Sequence, residues 1–93
     1  LMDMQEFYKF HGITRGKFAK MIGVKTISLI NYEAGKDVSY ETKLRVEIGV
    51  EIAEDLQVIC QDNPKKLLTI EAENEKCRKR FKKAFDRVIM IEL

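Results

Sequence analysis

Apolar positions recur at helical spacing along the chain, and nowhere do they alternate with polar ones over a useful strand length. Between Thr26 and Ala34, at 100° per residue, Leu29 and Tyr32 fall on one face. Ile27 and Ile30 fall on roughly the other, with Asn31 and Ala34. A surface helix needs only one apolar stripe, so this segment carries one apolar face too many. Elsewhere the spacing predicts a first helix over Met4–Phe10 with Phe7 and Phe10 in the core, and a second over Arg15–Ile22 with Phe18, Ala19 and Ile22 inward. A long fourth helix starts at Tyr40 and runs to about Gln61. Leu44, Ile48, Ile52, Leu56 and Ile59 or Cys60 form its i, i+4 stripe, and Val46, Val50 and Ala53 widen it, which predicts burial on more than one side.

Breaks between these segments carry helix-end chemistry. Asp3 is placed to cap the first helix, with Glu6 as reciprocal partner, and Gly12 to end it in the left-handed conformation. Thr14 caps the second, Gly23 closes it, and only Val24 and Lys25 separate it from the third. Lys25 is a poor cap. Gly16 is an oddity inside a helix, costing roughly 1 kcal/mol relative to alanine. Glu33 lies where the helix dipole disfavours an anion, which calls for a specific cationic or backbone donor partner. Gly35 ends the third helix and Ser39 caps the fourth. "DNP" at 62–64 breaks the fourth; with Asn63 as cap and Pro64 at the first helical position, further helix then extends to about Met90, either unbroken or interrupted near Thr69. The expected fold is all-α, a bundle of about five helices with a long C-terminal helix.

Composition narrows the class. The chain has 93 residues, one domain's worth, with 45% apolar and 34% charged residues, so it is neither disordered by composition nor a membrane protein. No uncharged run approaches the length needed to span a bilayer, and no secretory signal is visible. Cys60 and Cys77 lack metal-type spacing and read first as core or surface thiols in a reducing cytosol, with a disulfide as the alternative, which makes the cytoplasm the expected location. His11, with no ligand or nucleophile near it in sequence, is assigned a structural or solvent role. Net charge is +2 but unevenly placed. Residues 1–35 carry five basic and three acidic side chains, residues 36–62 three and seven, and residues 63–93 nine and five. An acidic middle between basic ends suggests one face for a polyanion and another for something else.

Two short helices joined by a tight glycine turn make a helix-turn-helix pattern. The stretch "ITRGKFAKMIGVKTISLINYEAGK" goes further and resembles the lambda-repressor-like, or Cro-type (XRE), family of DNA-binding domains. Without a gap, Ile13, Phe18, Ala19, Ile22, Gly23, Val24, Leu29, Tyr32, Glu33 and Gly35 fall where that family has apolar, small, glycine or glutamate residues. Lys25 departs from the family's small polar cap, Gly16 from a helix former, and no proline precedes Ser39. The resemblance implies that residues 1–62 are a DNA-binding unit whose third helix enters the major groove. By position it implies base reading by Thr26, Ile27 and Asn31, and backbone contacts by Arg15, Lys25 and Ser28. Lys17 and Lys36 add surface charge that serves as phosphate contact or as ordinary solvation. Asparagine pairs with adenine and aliphatic groups meet the thymine methyl, so the expected half-site contains A·T pairs. Ile27 and Ile30 have the alternative of packing on another helix or a partner.

Residues 63–93, a C-terminal extension, resemble no family. Ile70, Asn74, Cys77, Phe81, Ala84, Val88 and Ile91 alternate by four and three, a heptad seam with an asparagine at one core position. That face fits packing on the fourth helix, self-association through Cys77, Phe81, Ala84 and Val88, or a basic arm on nucleic acid. A homodimer would suit a palindromic operator.

Two function classes follow. One is a sequence-specific DNA-binding transcriptional regulator, most simply a repressor, with double-stranded DNA as partner. The other is a protein-interaction module on the same scaffold, such as an antitoxin binding a toxin through the Ile27/Ile30 face. One histidine, no nucleophile–base spacing, no phosphate-cradling glycine loop and no metal set argue against an enzyme and against any cofactor.

Overall fold

The structure is a computed structural model that describes residues 3–59 together with 79, 82–84, 86 and 87; side chains are described to residue 54 and at those six later positions. Among the described residues all regular structure is helical: α1 (Met4–His11), α2 (Arg15–Ile22), α3 (Thr26–Glu33) and α4 (Tyr40–Ile59), with residues 79, 82–84, 86 and 87 helical as well. Each end is set by the chemistry its residues offer. Asp3 Oδ1 accepts from the Gln5 N–H at 2.9 Å, one residue short of the Glu6 partner expected. Thr14 Oγ1 accepts from the Lys17 N–H at 3.2 Å, and Ser39 Oγ from the Thr42 N–H at 3.1 Å. Gly12, Gly23 and Gly35 take φ of 63°, 76° and 74°, the left-handed turns that close α1, α2 and α3. At Gly35 the closure is a Schellman motif: its own N–H reaches the Tyr32 carbonyl, and the Lys36 N–H reaches that of Asn31. Lys25 precedes α3 without a side-chain cap.

The core gathers Phe7, Tyr8, Ile13, Phe18, Ala19, Met21, Ile22, Leu29, Leu44, Val46, Ile48 and Ala53. Phe7 and Phe18 are both fully buried, with ring centroids 5.1 Å apart and tilted 65°, an edge-to-face pairing. Burying each such side chain contributes roughly 1.5–3 kcal/mol. Helix α4 is buried on several sides, as its widened stripe predicts: Leu44, Val46, Ile48, Gly49 and Ala53 all lie inside. Phe10 is a correction. It is 39% exposed, and Tyr8 and His11 are buried instead. Phe7, His11 and Tyr8 lie within one 100° arc of the helix, whereas Phe10 sits 60° outside it on the far side of Phe7. The Phe10 ring stands edge-on to His11, centroids 5.0 Å apart.

The expected stripe positions Leu56, Ile59 and Cys60 lie beyond the described side chains, as do Cys77, Phe81 and Val88. Ala84 is partly buried and packs against the core of its own chain.

Candidate nucleic-acid interface

Helix α3 is short, so its orientation depends on what it is tied to. Inward, Leu29 is fully buried and Tyr32 packs partly buried against the core. The other anchor is Glu33, whose side chain is only 11% exposed. Arg15 donates to it in bidentate fashion, Nε to Oε2 and Nη2 to Oε1, both at 2.8 Å. The Tyr8 hydroxyl donates to Oε2 at 3.0 Å and Gln5 Nε2 to Oε1 at 3.2 Å. The Arg15 guanidinium also lies 5.9 Å from the Tyr8 ring centroid. One carboxylate therefore collects donors from α1 and α2 at the end of α3, the partner the unfavourable dipole position required.

Protonation follows this arrangement. Burial pushes the Glu33 carboxyl upward, but the donors from Arg15 and Tyr8, the Arg15 charge and Gln5 outweigh it, and the net direction is down. Tyr8 moves up, through burial first and then its bond to Glu33. Arg15 also moves up, chiefly through Glu33.

A second tie fixes the turn between α2 and α3. Arg45, on α4, donates from Nη1 to the Ile22 carbonyl at 2.9 Å, capping the C-terminus of α2. Its Nε and Nη2 hold Glu41, one turn back, at 3.2 and 3.0 Å. A Cβ on Gly23 would come within 2.8 Å of Arg45 Nη1, so glycine there serves both the left-handed turn and the approach of this side chain.

With α3 so held, its outer face carries Thr26, exposed, Ile27, 58% exposed, and Ile30, 39% exposed, with Asn31 half-buried beside them. Lys25 is exposed and Ser28 half-buried at the N-terminal end, and Lys36 is exposed just past the C-terminal end. Lys17 is half-buried on α2. Arg15 stands apart from this group. Its bidentate pair with Glu33 takes Nε and Nη2, so a phosphate contact from it would fall to Nη1.

Beside the N-terminus of α3 lies an open polar recess of ≈ 360 Å³ where Lys25 and Ser28 meet Ser39, Thr42 and Arg45 of the α4 start. Glu41, which also lines it, is already paired with Arg45. The Arg45–Glu41 pair is neutral overall and the Ser39 and Thr42 hydroxyls lie 2.9 Å apart in a mutual bond, so Lys25 supplies the recess's net positive charge toward a phosphate oxygen. In the sequence Ser39 reads only as a cap, and no spacing marks Thr42 or Arg45. Ser39 and Thr42 share the first turn of α4, but their proximity to Lys25 arises only from packing.

No family profile, curated protein or solved structure matches this chain. Among the described residues no helix is long and apolar enough to cross a membrane.

Proposed function

We propose that the chain is a sequence-specific DNA-binding regulator, most simply a cytoplasmic repressor acting as a homodimer, and not an enzyme. Residues 1–62 serve as a helix-turn-helix unit of the lambda-repressor-like kind, with residues 63–93 as a helical extension. Thr26, Ile27 and Asn31 read base edges in the major groove, and Lys17, Lys25, Ser28 and Lys36 meet phosphates. Arg15 acts first as a positioning residue, through Glu33. The observation that carries this reading is the second face of α3: Ile27 is 58% exposed beside exposed Thr26, while Leu29 and Glu33 on the inner side are locked to the other helices. An exposed isoleucine flanked by hydrogen-bonding side chains and peripheral lysines fits base edges between phosphates.

Selection of bound duplexes from a random pool tests it. The expected outcome is a palindrome with A·T pairs in each half-site. A pool that fails to enrich, together with no change in fluorescence anisotropy on generic duplex at low salt, would overturn DNA binding.

Exposure of Ile30 at 39% favours a second reading, because a base-reading face does not need it. An interaction module would use Ile27 and Ile30 together against an apolar partner such as a toxin. In that case Ile30→Asp abolishes partner capture and leaves duplex binding unchanged.

A further inference from the structure

The acidic middle of the chain has a definite place in the fold. Glu47, Glu51 and Glu54 follow one another along α4 at steps of four and three residues and are all exposed. They rim a groove of ≈ 380 Å³ whose floor is Met4 of α1, Tyr32 of α3 and Val46 and Val50 of α4. The Glu47 charge adds to burial in raising the Tyr32 phenol, which puts the carboxylate close to the ring. No ion pair among the described residues uses these three glutamates. The groove lies on the Tyr32 side of α3, about 140° around that helix from Ile27, and so is separate from the face proposed for DNA.

The complement is on the same chain. Lys79, Lys82, Lys83 and Arg87 are helical and exposed, while Ala84 turns to the core. At helical rise Lys79, Lys83 and Arg87 step along one side over about 12 Å, against about 10 Å from Glu47 to Glu54. Asp86, also exposed, is one opposing charge on that ridge.

We propose that the occupant of the acidic groove is a second copy of this chain, which inserts its basic ridge between Glu47 and Glu54. The inference rests on the reading of the chain as a homodimer and names the surface through which it pairs. It is independent of DNA binding. Two-fold symmetry makes the contact reciprocal, since each copy offers one groove and one ridge, and the charge pairs are counted twice. The apolar floor supplies contact area, and the charges supply register and rate of encounter. Because Ala84 already packs on its own core, the exposed ridge on the other side of that helix is the side offered to the partner.

Sedimentation equilibrium of the full chain tests this. The wild type is expected at twice the chain mass, with association weakening as salt rises. Glu47/Glu51/Glu54→Lys and Lys79/Lys82/Lys83→Glu are each expected to raise the dimer Kd by about 100-fold or more, and their equimolar mixture to restore a dimer. The neutral variant Glu47/Glu51/Glu54→Gln, which introduces no repulsion, is expected to weaken the dimer by about tenfold. A dimer untouched by the neutral variant and by both reversals overturns this surface and leaves the homodimer standing. A wild type that stays monomeric overturns both.

Discussion

His11 is a titratable ring held where titration is costly. It is 1% exposed, its centroid lies 4.6 Å from that of Phe7, and its Nε2 has no hydrogen-bond partner among the described residues. Burial moves its pKa below the ordinary 6.5, so the folded chain keeps it neutral where an unfolded chain would protonate it. Unfolded chains then bind more protons, and stability falls as pH drops below about 6.5, with a slope that approaches at most ~1.4 kcal/mol per pH unit. Glu33 has the opposite charge type but the same consequence at lower pH: its contribution is complete above the ordinary 4.5 and is lost as pH falls through the depressed folded value. The Glu33 contribution changes only below about 4.5, so the interval above it reports the histidine. Thermal unfolding between about pH 7 and pH 5 therefore isolates the histidine. His11→Leu is expected to flatten the wild-type decline in that interval, and a variant that keeps the full decline would count against the buried neutral ring. From sequence, His11 could be assigned a structural role because no catalytic partner was near it. That it would be buried and Phe10 exposed depended on a 60° rotation of α1, which a two-turn segment does not encode sharply.

Two helical glycines, at positions 16 and 49, separate what an element dictates from what packing dictates. Helix propensity alone predicts that alanine at either position gains about 1 kcal/mol. At Gly16 an added Cβ meets nothing within 4 Å among the described residues, so the gain is expected in full. At Gly49 it would meet Ile22 Cγ2 at 2.5 Å and Phe18 Cζ at 3.0 Å, both core atoms of α2. Helix α4 would have to retreat from α2, and overpacking of that kind costs about 1–3 kcal/mol. Urea unfolding should thus shift in opposite directions, up for Gly16→Ala and down for Gly49→Ala; a gain at both would mean that α2 and α4 do not pack this closely. The same distinction governs how much of the fold the sequence exposes. Starts of α1 to α4 and stops of α1 to α3 were legible because caps and left-handed glycines are local chemistry, and those ends agree within one residue; the expected stop of α4 near Gln61 lies outside the described residues. The donor set on Glu33 was legible in kind, as a charge in the wrong place on a helix, but its members Gln5, Tyr8 and Arg15 were not. Arg45 on the Ile22 carbonyl and the tight seat of Gly49 depend on how α4 crosses α2, and no spacing within either segment reports that.

Across the whole molecule, charge is unevenly placed over the surface. Lys25 and Lys36 stand exposed at the two ends of α3's outward face, while Glu47, Glu51 and Glu54 of α4 line a groove on the Tyr32 side. If the first surface meets DNA, affinity must depend on salt through each phosphate contact, by ~0.9 in the slope of log K against log salt. Four to six contacts per monomer give a slope of roughly −4 to −5. Three substitutions then have distinct signatures on a selected duplex. Lys36→Gln is expected to flatten the slope by ~0.9 and weaken binding on all sequences alike. Asn31→Ala is expected to leave the slope unchanged and cost about 1–3 kcal/mol on the preferred site only, relaxing the base choice there. Glu51→Gln, on the opposite side, is expected to change neither when the DNA holds a single half-site, and to weaken binding only where two half-sites require two copies. Anisotropy titrations at four salt concentrations read all three. Equal losses for Asn31→Ala on selected and scrambled duplexes would remove base reading from α3, because a residue that recognises a base must act on sequence and not on charge.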